Sequence, residues 1–286
     1  SCLVGSEMCI RDRTSIVSLA LPTIKEDLNV TGSISLIFSV YFIAIVIANP
    51  IVGELLDRTK IIYITLLGLV FFTIGSFFSG ISSTFGILII SRFIQGLGAG
   101  IMMALSQIVP KLAFAIPLRY KIMGIVGSVW GISSIIGPVL GGGILELATW
   151  HWLFFVNIPI AIIAMLLVVF TFHFKHEQTT TSHKLDMKGL MLFYLFVFFL
   201  MFTLMNNSQW YLNCLSFIIA IIMGMILIKN EKGVAAPFFP VKEFNKTIIL
   251  VFTTDFLYAM ILMGYNLYMP IYPVSYTHLT LPTNRE

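Results

Sequence analysis

Two charged side chains lie inside long apolar runs of the sequence, where a charge is costly. Arg92 falls within residues 85–109 and Asp255 within residues 247–270. An arginine in hydrocarbon costs roughly 2.5–3.5 kcal/mol on insertion scales, so Arg92 should face protein or water and have a partner. Gln95 shares a helical face with it. Near mid-run, Asp255 could carry a proton or pair with a cationic compound.

Each of these charges also has a structural interpretation. Arg92 either tunes a nearby proton-carrying carboxylate or only braces helix packing through backbone carbonyls. Asp255 is alternatively a protonated carboxyl bonded to a neighbouring helix, or half of an ion pair. The three cysteines have no zinc or disulfide spacing, and we see no His, Asp and Glu cluster in the apolar runs. We therefore predict no catalytic residue, no metal and no cofactor.

A third run concentrates residues that weaken helices. It contains Gly127, Gly131, Gly137, Pro138, Gly141, Gly142 and Gly143. Glycines four residues apart form an edge that lets another helix approach closely, as Gly96 and Gly100 do in the run of Arg92. Pro138 lacks a backbone N–H and should kink its helix.

Membrane helices are the elements that would position these residues. Of the 286 residues, 58% are hydrophobic and 10% charged, whereas soluble domains carry about 25% charged residues. A span needs about 20 apolar residues. Runs of that kind occupy residues 33–55, 61–80, 85–109, 121–145, 152–172, 189–205, 210–228 and 247–270. Residues 14–22 look like the end of an earlier, first span, which makes 247–270 the ninth.

The basic residues are distributed unevenly between the loops. Loops after the second, fourth, sixth and eighth spans hold twelve of the 17 lysines and arginines: Arg58, Lys60, Lys111, Arg119, Lys121, Lys175, Lys184, Lys188, Lys229, Lys232, Lys242 and Lys246. The opposite loops hold only Lys25. Positive charge marks cytoplasmic loops, so we predict a cytoplasmic N-terminus. The net charge of +4 then reflects topology and gives no reason to expect nucleic acid.

Several segments resemble signatures of the major facilitator superfamily. The segment from Leu88 through Arg92 and Gln95 to Gly100 resembles its fourth-helix signature. Residues 53–58 resemble the first half of its loop signature, in which Gly53, Asp57 and Arg58 would form a gate that breaks when the cytoplasmic side opens. The second half departs, since Lys60 stands where glycine is usual. A plain charged loop capping two helices is the alternative.

The glycine-rich run resembles the G-P-x-x-G-G motif of the superfamily's drug:proton antiporters. In that branch the motif packs against the other half of the transporter; the alternative is a packing helix with no antiport role. Residues 150–159 resemble the start of the sixth helix, with Trp150 and Trp152 as interfacial anchors and His151 replacing arginine. Residues 14–22 resemble the end of the first-helix signature, whose aspartate would fall at Arg13.

The extra helix pair between residues 189 and 228 resembles the fourteen-helix form of this family. The resemblance implies an all-α polytopic membrane protein with a partial major facilitator fold. We predict five segments: 1–13, adapter-like and foreign; 14–172, an N-terminal bundle; 173–246, a linker with two spans; 247–273, the first helix of a second bundle; and 274–286, adapter-like and foreign. Ordinary polar tails are the alternative for both ends.

The function that the resemblance implies is proton-coupled efflux of small amphipathic compounds across a bacterial plasma membrane. The partners would be the lipid bilayer, protons and the small-molecule substrate. Candidate cavity residues are Tyr41, Phe42, Met103, Trp130, Tyr258 and Tyr265, which as helix residues could equally be packing. A nutrient symporter of the same superfamily is the alternative, and a membrane enzyme or sensor has little support. With one bundle nearly absent, we expect this chain alone to transport nothing.

Overall fold

The computed structural model describes residues 20–21, 23–28, 34, 36–171, 186–205, 210–233 and 244–268. Its regular elements there are helices: α1 Leu36–Arg58, α2 Ile61–Gly80, α3 Phe85–Ala113, α4 Ile116–Leu147, α5 Trp152–Phe155, α6 Asn157–Thr171, α7 Met187–Met205, α8 Trp210–Gly233 and α9 Lys246–Tyr268. This confirms the all-α fold class. Predictions for residues 1–19 and 269–286, and for the side chains of Asp57, Trp130, Pro138 and Tyr265, lie outside the described part.

Five of the described helices are long and apolar enough to cross a membrane: Leu36–Leu56, Ile61–Gly80, Phe85–Ala113, Trp152–Phe170 and Trp210–Gly233. The fourth of these was predicted as one uninterrupted helix, and it is instead divided at Val156 into α5 and α6. Pro159 has no N–H to donate to the carbonyl one turn earlier. Nearby, Asn157 Nδ2 donates to the carbonyls of Leu153 and Phe154 at 2.8 and 3.1 Å, which adds side-chain hydrogen bonds at the division.

The chain divides into two compact units between residues 184 and 185. In the first unit α3 is the central helix, packed on α1 and on α2, while α6 packs on α2. One buried cluster that joins these four helices consists of Tyr41, Ile45, Leu69, Phe72, Ala99, Met102, Ala161, Ala164 and Val168.

Glycines on two edges of α3 allow this close packing. A Cβ at Gly96 would lie 2.6 Å from the Tyr41 carbonyl oxygen, and one at Gly100 would lie 2.7 Å from the Ala48 Cβ, both on α1. On the other edge, a Cβ at Gly98 would overlap the α2 backbone. The structure therefore has the small-residue contact predicted for Gly96 and Gly100.

The glycine edge of α4 is arranged differently. A Cβ at Gly127 or Gly131 would meet no atom within 4 Å among the described residues, whereas Gly137 and Gly141 are buried. The described part of the first unit thus leaves the Gly127–Gly131 edge open.

In the second unit, α7 and α8 form an antiparallel hairpin. Near the end of α7 and the start of α8, the hydroxyls of Thr203 and Ser216 are hydrogen-bonded, 2.5 Å apart. At the other end Asp186 accepts from the Gly189 amide and from Asn230 Nδ2, both at 3.0 Å. On α9, every side chain described is exposed.

Candidate functional site

The Arg92 side chain, on α3, is fully buried in the first unit. Its Nη1 donates to Gln95 Oε1 at 2.8 Å, one helical turn along α3. Its guanidinium carbon lies 4.3 Å from the ring centroid of Tyr41 and 5.8 Å from that of Phe154. A cation over an aromatic face is stabilised by the ring quadrupole, most strongly away from water. Tyr41 and Phe154 therefore offset part of the cost of burying this charge.

The network continues from Arg92 to a second helix. Gln95 Nε2 donates to Ser76 Oγ of α2 at 2.6 Å, and Ser76 Oγ donates to the Phe72 carbonyl at 2.6 Å. Gln95 can reach Ser76 because the neighbouring residue is Gly75, where a Cβ would lie 2.5 Å from the Gln95 Cβ. The glutamine therefore connects the cation to α2 through one amide, accepting on its oxygen and donating from its nitrogen.

Two further donors of Arg92 have no acceptor in the part of the chain that the structure describes. Both Nε and Nη2 are buried there without a hydrogen-bond partner. Leaving donors of a buried charge unsatisfied costs more than the net gain from one ordinary hydrogen bond. A guanidinium fork with two such donors suits a carboxylate or another bidentate anion.

Phe154, next to Arg92, belongs to a layer of buried apolar side chains. Trp150, Leu153 and Phe154 belong to a buried cluster with Ile24 and Ile37. Trp150 is 2% exposed, so its prediction as an interfacial anchor was wrong.

The Trp150 indole is held by polar as well as apolar contacts. Its Nε1 donates to Asp27 Oδ2 at 2.8 Å, and its ring stacks on His151 with centroids 3.7 Å apart. The neighbouring Trp152 is exposed, as an interfacial anchor would be.

The structure brings together some predicted residues and leaves others apart. Tyr41 joins Arg92 and Gln95, while Met103 is partly buried against the cluster that contains Tyr41. Asp255 and Tyr258 are exposed on α9 in the second unit. Sequence reasoning missed Ser76, although the adjacent pair of small residues at 75 and 76 in an apolar helix was a usable signal.

The predicted gate segment lies at the end of α1. Arg58 Nε donates to Glu54 Oε1 at 2.7 Å within the same helix. A Cβ at Gly53 would have nothing within 4 Å among the described atoms. An exposed pair of this kind contributes little to stability.

Residues 6–284 match the sequence profile of the Major Facilitator Superfamily. The chain belongs to this superfamily. Membership in this superfamily of membrane transporters agrees with the predictions of an all-α polytopic membrane protein with a partial major facilitator fold, and of a transporter family rather than an enzyme family.

The relatives include named drug transporters. The chain is 66% identical over 259 residues to the multidrug efflux pump SdrM of Staphylococcus aureus (strain N315), covering 91% of this chain and 58% of that protein. It is 32% identical over 209 residues to multidrug resistance protein 3 of Bacillus subtilis (strain 168), covering 73% of this chain and 40% of that protein. Another relative is the riboflavin transporter RibZ of Clostridioides difficile (strain 630), 32% identical over 235 residues, which are 81% of this chain and 51% of that protein. This chain spans about half the length of these relatives.

Proposed function

We propose that this chain is the front part of a bacterial plasma-membrane transporter that exports drugs or other small amphipathic compounds in exchange for protons. The observation that carries the proposal is the fully buried Arg92 with two donors unsatisfied among the described residues. A cation inside a span is a functional-site hypothesis by default. The similarity of this chain to the efflux pump SdrM supports export as the direction of transport.

In the proposed mechanism Arg92 binds a carboxylate of the superfamily's first helix, which precedes α1 in the chain. The ion pair forms while that carboxylate is ionised. A proton arriving at the carboxylate neutralises it, weakens the ion pair and leaves the guanidinium to Gln95 and Tyr41. The two states of this pair would favour different packings of the bundle, which couples proton movement to alternating access. The family resemblance puts the carboxylate at position 13, where this chain has Arg13.

The other predicted residues have proposed roles around this pair. Asp255 would carry a second proton or pair with a cationic substrate. The open Gly127–Gly131 edge of α4 would pack against the second half of the transporter, and Gly53, Asp57 and Arg58 would form the cytoplasmic gate.

The test is export of the dye ethidium from cells that express the complete transporter containing this segment. We expect export to stop when a protonophore collapses the proton gradient, and to stop in Arg92→Ala with normal expression. Lys232→Gln, which changes an exposed charge of α8, is the matched control and should export normally. Export that persists without a proton gradient would refute the antiport proposal.

The relation to RibZ keeps one alternative, a transporter of a nutrient or metabolite. The same cells distinguish the two proposals. Gradient-driven uptake of a vitamin such as riboflavin, with no protonophore-sensitive ethidium export, would favour the alternative.

A further inference from the structure

The indole ring just before α5 has a carboxylate at its edge and an imidazole on its face. Asp27 Oδ2 accepts from Trp150 Nε1 at 2.8 Å. The His151 ring stacks on the Trp150 ring, with centroids 3.7 Å apart and planes inclined by 26°. Trp150 is buried, whereas His151 is half-buried and Asp27 is exposed. Water and protons can therefore reach both polar neighbours of the indole. We call these three residues the indole clamp.

The indole clamp joins parts of the chain that are distant in the sequence. Asp27 ends a short helical segment and lies 123 residues before Trp150. Ile24 of the same segment packs in one buried cluster with Trp150 and Phe154. The Phe154 ring meets the Trp150 ring edge to face, with centroids 6.1 Å apart, and lies 5.8 Å from the guanidinium carbon of Arg92. The clamp therefore holds the segment of Asp27 against the helix that contacts Arg92.

The charged side chains around the clamp are mostly acidic. The helices α2 and α5 contain no Asp, Glu, Lys, Arg or His, and the first half of α1 contains none either. On α3 the charged residue nearest to this end is Arg92. Besides His151, the described charged side chains at this end of the first unit are one cation and three carboxylates: Lys25, Glu26, Asp27 and Glu146. A positive charge on His151 therefore meets a net negative surrounding.

A proton on the imidazole would strengthen both contacts of the indole. Histidine is the side chain whose charge ordinarily changes between pH 5 and 8. A cation over the face of an indole is attracted by the ring quadrupole. The same cation draws electron density from the ring and makes Trp150 Nε1 a stronger donor to the Asp27 carboxylate, because linked polar groups polarise one another. A neutral imidazole has neither effect.

We propose that Asp27, Trp150 and His151 form a pH-responsive clamp that tightens in acid and loosens above neutral pH. The charge bias of the loops predicts that this end of the unit faces the outside of the cell, so the clamp follows the external pH. Where the resembling signature has arginine, which stays charged throughout this range, this chain has His151. The contact is therefore titratable here. The proposal depends neither on the transported compound nor on the role of Arg92.

The first test is the tryptophan fluorescence of the purified chain in micelles between pH 8 and pH 5. A protonated imidazole stacked on an indole quenches its emission, so we expect the wild-type emission to fall with the pH. The fall should be absent from His151→Gln and from Trp150→Phe. The matched controls are His173→Gln, which removes another imidazole, and Trp152→Phe, which removes the exposed neighbouring indole; both should keep the fall. No fall in the wild type, or a fall that persists in His151→Gln, would overturn the proposal.

The second test asks whether the charge strengthens the clamp. We expect the ratio of the unfolding constants of His151→Gln and the wild type to be about 2–5-fold larger at pH 5 than at pH 8, which is the value of one partly exposed cation–π contact. His151→Arg keeps its cation throughout, so it should exceed the wild type in stability only at pH 8. In an Asp27→Asn background the pH dependence of the ratio should shrink. A ratio that is the same at both pH values would overturn the proposal, even if the fluorescence changes.

Discussion

Replacing Gln95 by leucine tests whether the buried polar network joins α2 to α3. The change removes the acceptor of Arg92 Nη1, 2.8 Å away, and the donor to Ser76 Oγ, 2.6 Å away. A hydrogen bond to a charged group contributes about 1.5–3 kcal/mol, and a neutral one about 0.5–1.5 kcal/mol. Ser76 keeps its bond to the Phe72 carbonyl, so only its acceptor role is lost. We expect Gln95→Leu to lower the free energy of unfolding by about 2–4 kcal/mol.

The assay is unfolding of the purified chain in mixed micelles, followed by tryptophan fluorescence. Gln107→Leu is the matched control, because Gln107 is exposed on the same helix, and exposed substitutions usually change stability by less than about 0.5 kcal/mol. Gln95→Glu keeps an acceptor for Arg92 and should recover most of the loss. If Gln95→Leu and Gln107→Leu have the same free energy of unfolding, the reasoning about this network is refuted.

Three further predictions use other contacts. Gly98→Ala places a Cβ against the α2 backbone and should lower stability by about 1–3 kcal/mol. Gly124→Ala faces open space among the described residues and should raise stability by up to about 1 kcal/mol through helix propensity. Melting temperatures that shift in the same direction in both variants would contradict this pair of predictions. Trp150→Phe loses the donor to Asp27 and should cost about 1 kcal/mol. Asp27→Asn keeps an acceptor and should be milder, and a double-mutant cycle with no coupling would exclude the bond. In the complete transporter, Asp255→Asn should reduce ethidium export at least ten-fold if the carboxyl carries a proton, and full export would show a structural role.

Much of the helix pattern was predictable from the sequence. Each run from 33–55 to 247–270 overlaps a helix, because apolar run length alone defines a membrane span. The division at Val156 was missed, since run length contains no information about which amide donors are absent. Pro159 was visible in the sequence, but the bonds of Asn157 to the carbonyls of Leu153 and Phe154 depend on side-chain geometry.

The contacts of the candidate site were predictable only between residues close together in the sequence. Arg92 and Gln95 are three residues apart, so helical periodicity predicts their contact. Ser76 lies 19 residues before Gln95, and Asp27 lies 123 residues before Trp150. Such pairs depend on how helices pack, which single-sequence periodicity does not specify.

The hydrogen bonds that join both ends of the α7–α8 hairpin have a consequence for how such transporters acquire or lose helices. Thr203 bonds Ser216 near the end of α7 and the start of α8, and Asp186 bonds Asn230 near the start of α7 and the end of α8. Polar groups inside a membrane must find partners within protein, and Thr203 and Ser216 find theirs within the hairpin. Asp186 and Asn230 pair just outside the two predicted spans. A segment with that property can enter the bilayer as one insertion unit. It can also be gained or deleted as a cassette without leaving these four groups unpaired.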